Sequence, residues 1–181
     1  MHARRDPLRC HWPQGRSSLA TRSSVVTPFA LVTGYGYHRG DVSPQILRAS
    51  DAHWRPSNQM RVQNTDLASQ LGSETLAARL WLLRPGQAST KHRHVEQTEL
   101  YVVLAGIGRM RIGEEAHSLE AHSSVLVEPD VVRQLFNDTD DEALWLVVGA
   151  PRELANTREM TPEQLELMYP DGPQALPPEL A

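Results

Sequence analysis

Short apolar segments separated by turn residues fill the middle of the chain, from about residue 43 to residue 151. Such spacing is typical of antiparallel strands in a barrel or a sandwich, and no alternation of strands with helices appears. The pattern predicts an all-β fold, a barrel of the double-sheet, jelly-roll type. The predicted strands are Ile46–Ala49, Leu76–Leu83, Glu99–Leu104, Gly108–Ile112, Ala116–Leu119, Val125–Val127, Arg133–Asn137 and Ala143–Val148.

A helix signal stands near the end of the chain. Thr161 precedes a proline and lies three residues before Gln164, which is the arrangement of a capping box with proline at the first helical position. The pattern predicts a short helix over residues 162–168. A helix of this length is marginal alone, so we expect Leu165 and Met168 to pack it on the outer surface of the barrel.

These differences in residue pattern divide the chain into three regions. Residues 1–42 are rich in Arg, Ser, Pro and Gly without a sustained period, and we expect an extension of low order there. Residues 43–151 form the predicted barrel domain, and residues 152–181 form a tail that contains the helix. Within the barrel domain, Asp66–Leu71 is expected to form one helical turn with Thr65 as its cap.

Composition excludes several classes of protein. A chain of 181 residues with 40% hydrophobic residues and a formal charge of -4 is long enough for one globular domain. No charge excess calls for nucleic acid or an anionic membrane as a partner, and no apolar run approaches the roughly 20 residues of a membrane span. Cys10 is the single cysteine, so no intrachain disulfide can form and a reducing, cytoplasmic location is expected.

The pattern with the most chemical content is G-x5-H-x-H-x4-E-x6-G, formed by Gly86, His92, His94, Glu99 and Gly106. Side chains two residues apart on a strand point to the same face. The two histidines can therefore converge, and the glutamate can return to them on the next strand. Two imidazoles and one carboxylate form a facial triad that leaves metal positions open for water and substrate. The pattern predicts a site for a divalent metal.

At every fixed position, Gly86 to Gly106 resembles the first motif of the cupin family of small β-barrels. The resemblance extends over roughly Leu76 to Pro151 and implies a double-stranded β-helix with the metal inside the barrel. The ligands that it implies are His92, His94 and Glu99. Alternation along the strand then places Tyr101 on the same inner face as Glu99.

The second cupin motif is where the chain departs from the family. The matching stretch runs from His122 to Asn137, and the position of the last metal-binding histidine holds Arg133. Asp130 stands where the family has a turn glycine. A bulge of one residue would present Gln134 instead, but neither arginine nor glutamine is an ordinary metal ligand.

Arg133 leaves two alternatives open. In the first, three residues hold the metal, and the guanidinium stands back to bind the carboxylate or phosphate of a substrate. In the second, Arg133 pairs with Glu99 and replaces the metal, because a permanent cation within about 4 Å of a divalent ion repels it by several kcal/mol. The sequence favours the metal, since two inward histidines beside a carboxylate have no other obvious use.

We therefore expect a metal-dependent enzyme, a dioxygenase or an isomerase, that acts on a small anionic metabolite. The metal would be Fe, Mn, Zn or Ni. The expected catalytic residues are Tyr101 and Arg133, and Gln134 joins both of them as a substrate-binding residue. The alternative is a metal-free binding protein, a sensor or accessory protein that recognises an anion through Arg133. A purely structural module is a third interpretation, and a homodimer is expected.

Other prominent residues receive plainer interpretations. Arg79 is expected to be a surface arginine, although it is the other charge that can face the cavity. Trp81 and Trp145 are interpreted as core or dimer-interface residues. His117 and His122 are expected to be exposed to solvent.

Overall fold

The computed structural model describes residues 44–153 and 156–181, so the predicted extension over residues 1–42 lies outside the described residues. Nine strands, two α-helices and one 3-10 helix (Pro178–Leu180) lie within the described part of the chain. The helices are α1, Leu67–Gln70, and α2, Pro162–Met168. The strands are β1 Arg55–Pro56, β2 Gln63–Asp66, β3 Ala77–Leu83, β4 Thr98–Ala105, β5 Gly108–Ile112, β6 Glu115–Leu119, β7 Ser124–Val127, β8 Arg133–Phe136 and β9 Ala143–Ala150.

The strands form two antiparallel sheets. Six of them pair in the order β1-β2-β3-β9-β4-β7, and three pair in the order β6-β5-β8. Two isolated bridges, Ala88 with Phe136 and His92 with Arg133, attach the segment before β4 to β8. This arrangement confirms the predicted all-β, double-sheet barrel.

The core lies between the two sheets and follows the alternation of the strands. On β4 the inward residues Glu99, Tyr101 and Val103 are buried, whereas Leu100 between them is 39% exposed. The Tyr101 ring meets the ring of Trp145 on β9 edge to face, with centroids 6.4 Å apart. The inner face of this strand therefore changes along its length, from apolar packing around Trp145 to the carboxylate of Glu99.

The start of the described chain differs from the prediction. Ile46–Ala49 is not a strand, and Ile46 is 78% exposed. The first pairing is instead that of β1 with β2, whose sequence Gln-Asn-Thr-Asp is entirely polar. The apolar pattern could not reveal a strand of this composition, because its two central residues are buried polar side chains.

The predicted helical turn exists, but the prediction that Thr65 caps it was wrong. Asp66 caps α1, because its Oδ1 accepts the Ser69 backbone N–H at 2.9 Å. Thr65 lies in strand β2 instead, and it is fully buried. Aspartate is as favourable at this position as threonine. Strand β2 ends at Asp66, so Asp66 and not Thr65 directly precedes the helix.

Two turns depend on the left-handed backbone conformation. Gly86 has a φ of +76°, and Gln87 N–H donates to the Arg84 carbonyl at 3.1 Å, which closes the turn between β3 and the histidine segment. Asp130 has a φ of +63° and adopts the conformation of the glycine that it was expected to replace. Aspartate tolerates this conformation better than most side chains do.

Helix α2 begins and ends as predicted, with both bonds of the capping box between Thr161 and Gln164. The expectation that Met168 packs on the outer surface was wrong, because Met168 is buried and lines the barrel cavity. Arg93 Nε donates to the Leu167 carbonyl at 2.7 Å and fixes the end of the helix. In the described part of the chain, no helix has the length and apolar character that a membrane span requires.

Candidate metal centre and its cavity

The structure brings the three predicted ligands together. Glu99 lies on β4, and His92 and His94 lie in the segment that joins β3 to β4. One ligand atom from each of the three lies within 4.8 Å of the others. His94 Nε2 is 3.3 Å from Glu99 Oε1, and His92 Nε2 is 3.7 Å from Glu99 Oε2. In the part of the chain that the structure describes, this is the group of side chains that could hold a metal ion.

The Nδ1 atoms of the two imidazoles have different contacts. His92 Nδ1 lies 3.0 Å from the Thr90 carbonyl oxygen, which can only accept, so this nitrogen carries the proton. His94 Nδ1 lies 2.8 Å from Glu153 Oε2 but makes no hydrogen bond with it. Both Nε2 atoms face the carboxylate of Glu99, and in the neutral His92 ring the Nε2 lone pair is directed at it. A cation between these groups, either a metal ion or a proton on an imidazole, would stabilise this arrangement.

Glu153 is part of the site, although the sequence analysis did not single it out. Its carboxylate accepts backbone N–H bonds from Val95 at 3.1 Å, Glu96 at 3.2 Å and Gln97 at 3.3 Å. The same carboxylate lies 2.8 Å from His94 Nδ1. Glu153 follows β9 in the sequence, far from the histidines and outside any motif, so no sequence signal connected it to them.

Glu99 is held from a further direction by Tyr101, whose hydroxyl donates to Oε2. Burial raises the pKa of the Glu99 carboxyl, but the imidazoles of His92 and His94 outweigh that effect and hold the pKa well below its usual range. Burial, together with the charge of Glu99, raises the pKa of Tyr101 well above 10. The carboxylate is therefore ionised at neutral pH, and the phenol keeps the proton that it donates.

Arg133 lies behind Glu99. Its Nε is 3.7 Å from Glu99 Oε2, and its side chain is 0% exposed. One terminal nitrogen donates to the Glu128 carbonyl at 3.1 Å, while Nε and Nη1 have no hydrogen-bond partner among the described residues. The structure thus shows the ion pair of the second alternative, and Arg133 is not part of the cavity wall.

Gln134 is not brought to the site. Its amide donates to the Ser89 carbonyl at 2.8 Å and to the Ala175 carbonyl at 2.9 Å, and it does not line the cavity. Adjacent residues on a strand point to opposite faces, so the placement of Arg133 near Glu99 directs Gln134 towards the C-terminal tail.

A cavity of about 530 Å³ opens in front of the triad. This volume is ordinary for a site that binds a small molecule. Trp81, expected in the core or at a dimer interface, lines the cavity, whereas Trp145 is fully buried in the core. Tyr169 follows α2 and places its ring 6.4 Å from that of His92. The C-terminal segment therefore contributes part of the cavity wall.

The prediction that Arg79 is a surface residue was wrong. It lines the cavity, and one terminal nitrogen lies 2.7 Å from Asp66 Oδ2. Arg55 and Arg152 line the cavity as well. The signal was present in the alternation of β3, because Arg79 lies two residues from Trp81 and shares its inward face.

His117 and His122 lie outside the site. His122 is exposed, as predicted, and His117 is about 39% exposed, with its Nε2 3.9 Å from Glu115. Neither lines the cavity.

Comparison with known proteins agrees with this geometry. Residues 79–149 match the family model described as Cupin domain. No curated protein matches the chain.

Solved structures are similar in fold. A sugar phosphate isomerase from a cupin superfamily of Silicibacter pomeroyi is 19% identical, with a TM-score of 0.54 over 66% of this chain and 98% of its own. A Cupin 2 conserved barrel domain protein from Salinispora arenicola is 18% identical, with a TM-score of 0.52 over 60% and 90%. A predicted oxalate decarboxylase from Thermotoga maritima is 18% identical, with a TM-score of 0.52 over 59% and 99%.

Proposed function

Because the chain belongs to the cupin family through its domain at residues 79–149, we propose that it is a small metal-dependent enzyme of the dioxygenase or isomerase type. Its substrate is a small anionic metabolite held in the barrel cavity. The observation that carries the proposal is the convergence of the three side chains, since His92 Nε2 and His94 Nε2 lie 3.7 Å and 3.3 Å from the carboxylate oxygens of Glu99.

His92, His94 and Glu99 would hold the metal. Two imidazoles and a carboxylate suit Fe, Mn, Zn or Ni, and three protein ligands leave positions for substrate and water. When bound, such an ion acts as a Lewis acid or a redox centre towards the substrate.

The surrounding residues keep these ligands in place. The Tyr101 hydroxyl and the Arg133 guanidinium hold Glu99 ionised and oriented. The Thr90 carbonyl accepts a hydrogen bond from His92 Nδ1, and the Glu153 carboxylate lies 2.8 Å from His94 Nδ1. In this proposal Tyr101 and Arg133 serve the reaction through Glu99, as positioning residues.

Charge supports an anionic substrate. A divalent ion near the fixed guanidinium of Arg133 concentrates positive charge, and their repulsion reaches several kcal/mol at an effective dielectric constant of about 20. The negative charge of Glu99, beside the ion and the guanidinium, offsets part of this repulsion. An anionic group on the substrate would neutralise the remaining positive charge. Two of the similar structures are named for small anions, a sugar phosphate and oxalate.

The experiment is metal analysis of protein purified without chelator and then exposed separately to Fe²⁺, Mn²⁺, Zn²⁺ and Ni²⁺. We expect close to one ion per chain for at least one metal, and its loss in the double variant His92→Ala/His94→Ala. The matched control is His117→Ala/His122→Ala, which removes two histidines outside the cavity and should retain the metal. Wild-type protein that retains none of the four metals would contradict the proposal.

A second candidate function is a metal-free anion-binding protein, a sensor or accessory protein. The observation that favours it is the pairing of Arg133 with Glu99, since this arginine stands at the position of the family's last metal ligand. That function predicts no bound metal and a melting temperature that rises only with anions.

A further inference from the structure

The inner face of the six-stranded sheet carries a second polar group, away from the proposed metal ligands. The strand register aligns Asp66, Arg79, Val147 and Tyr101 in one row across β2, β3, β9 and β4. Neighbouring strands lie about 4.8 Å apart, so Arg79 and Tyr101 are separated by about 10 Å across the sheet. Glu99 shares the inner face of β4 with Tyr101. Arg79 therefore faces the same cavity from the far side.

The Arg79 guanidinium has donors to spare. Its contact with Asp66 Oδ2 at 2.7 Å involves one terminal nitrogen, and no other group in the described part of the chain is bonded to it. The side chain is 23% exposed and lines the cavity. A guanidinium offers five N–H donors in a planar fork that matches carboxylate and phosphate oxygens.

Arg152 is connected to the same group. Its Nη2 donates to Ser69 Oγ at 2.9 Å, and Ser69 N–H donates to Asp66 Oδ1. Arg79, Asp66, Ser69 and Arg152 thus form one hydrogen-bonded chain along the cavity wall. Arg79 pairs with the Asp66 carboxylate there, whereas Arg152 contacts the Ser69 hydroxyl and the Ser73 carbonyl.

The wall between this group and the triad consists of small and apolar residues and one amide. Ala77, Val147 and Gly149 lie on it. The Gln97 amide packs over Gly149, where a larger side chain would collide with it, and Gln97 also lines the cavity. A ligand that spans the cavity therefore finds charged partners at its two ends, with apolar residues and a neutral amide in between.

From this placement we infer that Arg79, with Arg152 beside it, forms an anion subsite that binds the carboxylate or phosphate of the substrate. The substrate class is a small bifunctional molecule with the anionic group at one end and an oxygen-bearing reacting group, directed at His92, His94 and Glu99, at the other. This assignment rests on the proposed function, and it gives to Arg79 the role that the sequence analysis gave to Arg133.

Tyr169 supports the two-ended cavity. Burial raises the pKa of its hydroxyl, the charge of Arg79 lowers it and the charge of Glu99 raises it. Its ring lines the cavity with its centroid 6.4 Å from that of the His92 ring, beside the space that a substrate would occupy.

The test is calorimetric titration of protein freed of metal by a chelator, with inorganic phosphate and acetate as probes. Without metal, any binding reports the subsite alone. We expect the wild type to bind at least one probe, and Arg79→Gln to weaken that binding at least about tenfold. Arg79→Lys keeps the charge and should lose less. The matched control is Arg84→Gln, because Arg84 is an exposed arginine with one acidic partner, Glu142, and its loss should change nothing.

A second variant separates ligand binding from a merely structural ion pair. Asp66→Asn removes the carboxylate that competes for Arg79 but keeps an oxygen to cap α1, so it should strengthen binding of the anion. Unchanged binding in Arg79→Gln, weaker binding in Asp66→Asn, or no binding of either probe by the wild type would overturn the subsite. Wild-type protein that binds phosphate but retains no metal would overturn the proposed enzyme and leave the subsite standing.

Discussion

Two arginines on opposite sheets show how burial decides what a charged side chain can do. Arg133, on β8 of the three-stranded sheet, is 0% exposed and lies 3.7 Å from Glu99 Oε2. Arg79, on β3 of the six-stranded sheet, is 23% exposed and lies 2.7 Å from Asp66 Oδ2. Each has a carboxylate partner, but only Arg79 also faces the cavity.

This difference gives the two residues different roles. A fully buried guanidinium cannot exchange its carboxylate for a ligand, because neither charge can be left without a partner away from water. A partly exposed one can do so at small cost, since water and ligand replace the lost contact. Arg133 therefore belongs to the structural support of Glu99, and Arg79 is free to bind substrate.

The largest expected effect is the loss of stability when the buried arginine, Arg133, is replaced. Arg133→Met leaves the Glu99 carboxylate without its guanidinium and should lower the free energy of unfolding of metal-free protein by about 3–5 kcal/mol. The matched change Arg79→Met should cost less than about 1 kcal/mol. Urea denaturation measures both.

A double variant checks the cause of that loss. Glu99→Gln/Arg133→Met removes both charges and should recover much of the stability lost in Arg133→Met. Equal losses for Arg133→Met and Arg79→Met, or no recovery in the double variant, would show that the two arginines do not differ as described.

A smaller effect is expected at Tyr101, which supports Glu99 from the same buried side. Tyr101→Phe removes a hydrogen bond to an ionised carboxylate and should cost about 1.5–3 kcal/mol. Tyr169→Phe, for a tyrosine that lines the cavity without holding Glu99, is the control and should cost clearly less. The measurement is the free energy of unfolding of the metal-free variants. An unchanged free energy in Tyr101→Phe would show that the hydroxyl does not stabilise Glu99.

The smallest effect is the pH dependence of stability that comes from Asp66, the partner of the cavity-facing Arg79. Burial raises the pKa of Asp66, but the Ser69 N–H and Arg79 outweigh it and hold the pKa below its ordinary value of 3.8. The unfolded chain then binds the proton more readily, so this contribution to stability is complete above pH 3.8 and is lost as the pH falls through the folded pKa. It should amount to less than about 1 kcal/mol.

Acid denaturation of wild type and Asp66→Asn provides the check. The wild type should be more stable than the variant at neutral pH and should lose this extra stability below pH 3.8, because the variant has no titrating group at position 66. Extra stability of the wild type that increased as the pH fell would mean that folding raises the pKa of Asp66 instead of lowering it.

The sequence revealed the barrel and the triad for specific physical reasons. Alternation of apolar residues identified the later strands, and the spacing of His92, His94 and Glu99 located the centre. Strand β2 was missed because its buried residues, Asn64 and Thr65, are polar. A rule based on apolar periodicity cannot detect such a strand.

The supporting residues were harder to foresee. Glu153 lies next to His94 although it comes from the far end of the domain, and the pairing of β4 with β9 brings the two segments together. Arg79 was identified as a residue that can face the cavity but was assigned to the surface. Its true position depends on β2, since the Asp66 carboxylate that holds it belongs to the strand that the sequence did not reveal.

The central claim, that His92, His94 and Glu99 hold a divalent ion, is tested most directly by electron spin-echo spectroscopy of Mn²⁺-loaded protein. Two imidazole nitrogens coupled to the ion are expected in the wild type, and one in His92→Ala. A spectrum in which Mn²⁺ couples only to water protons, with no imidazole nitrogen, would contradict the claim.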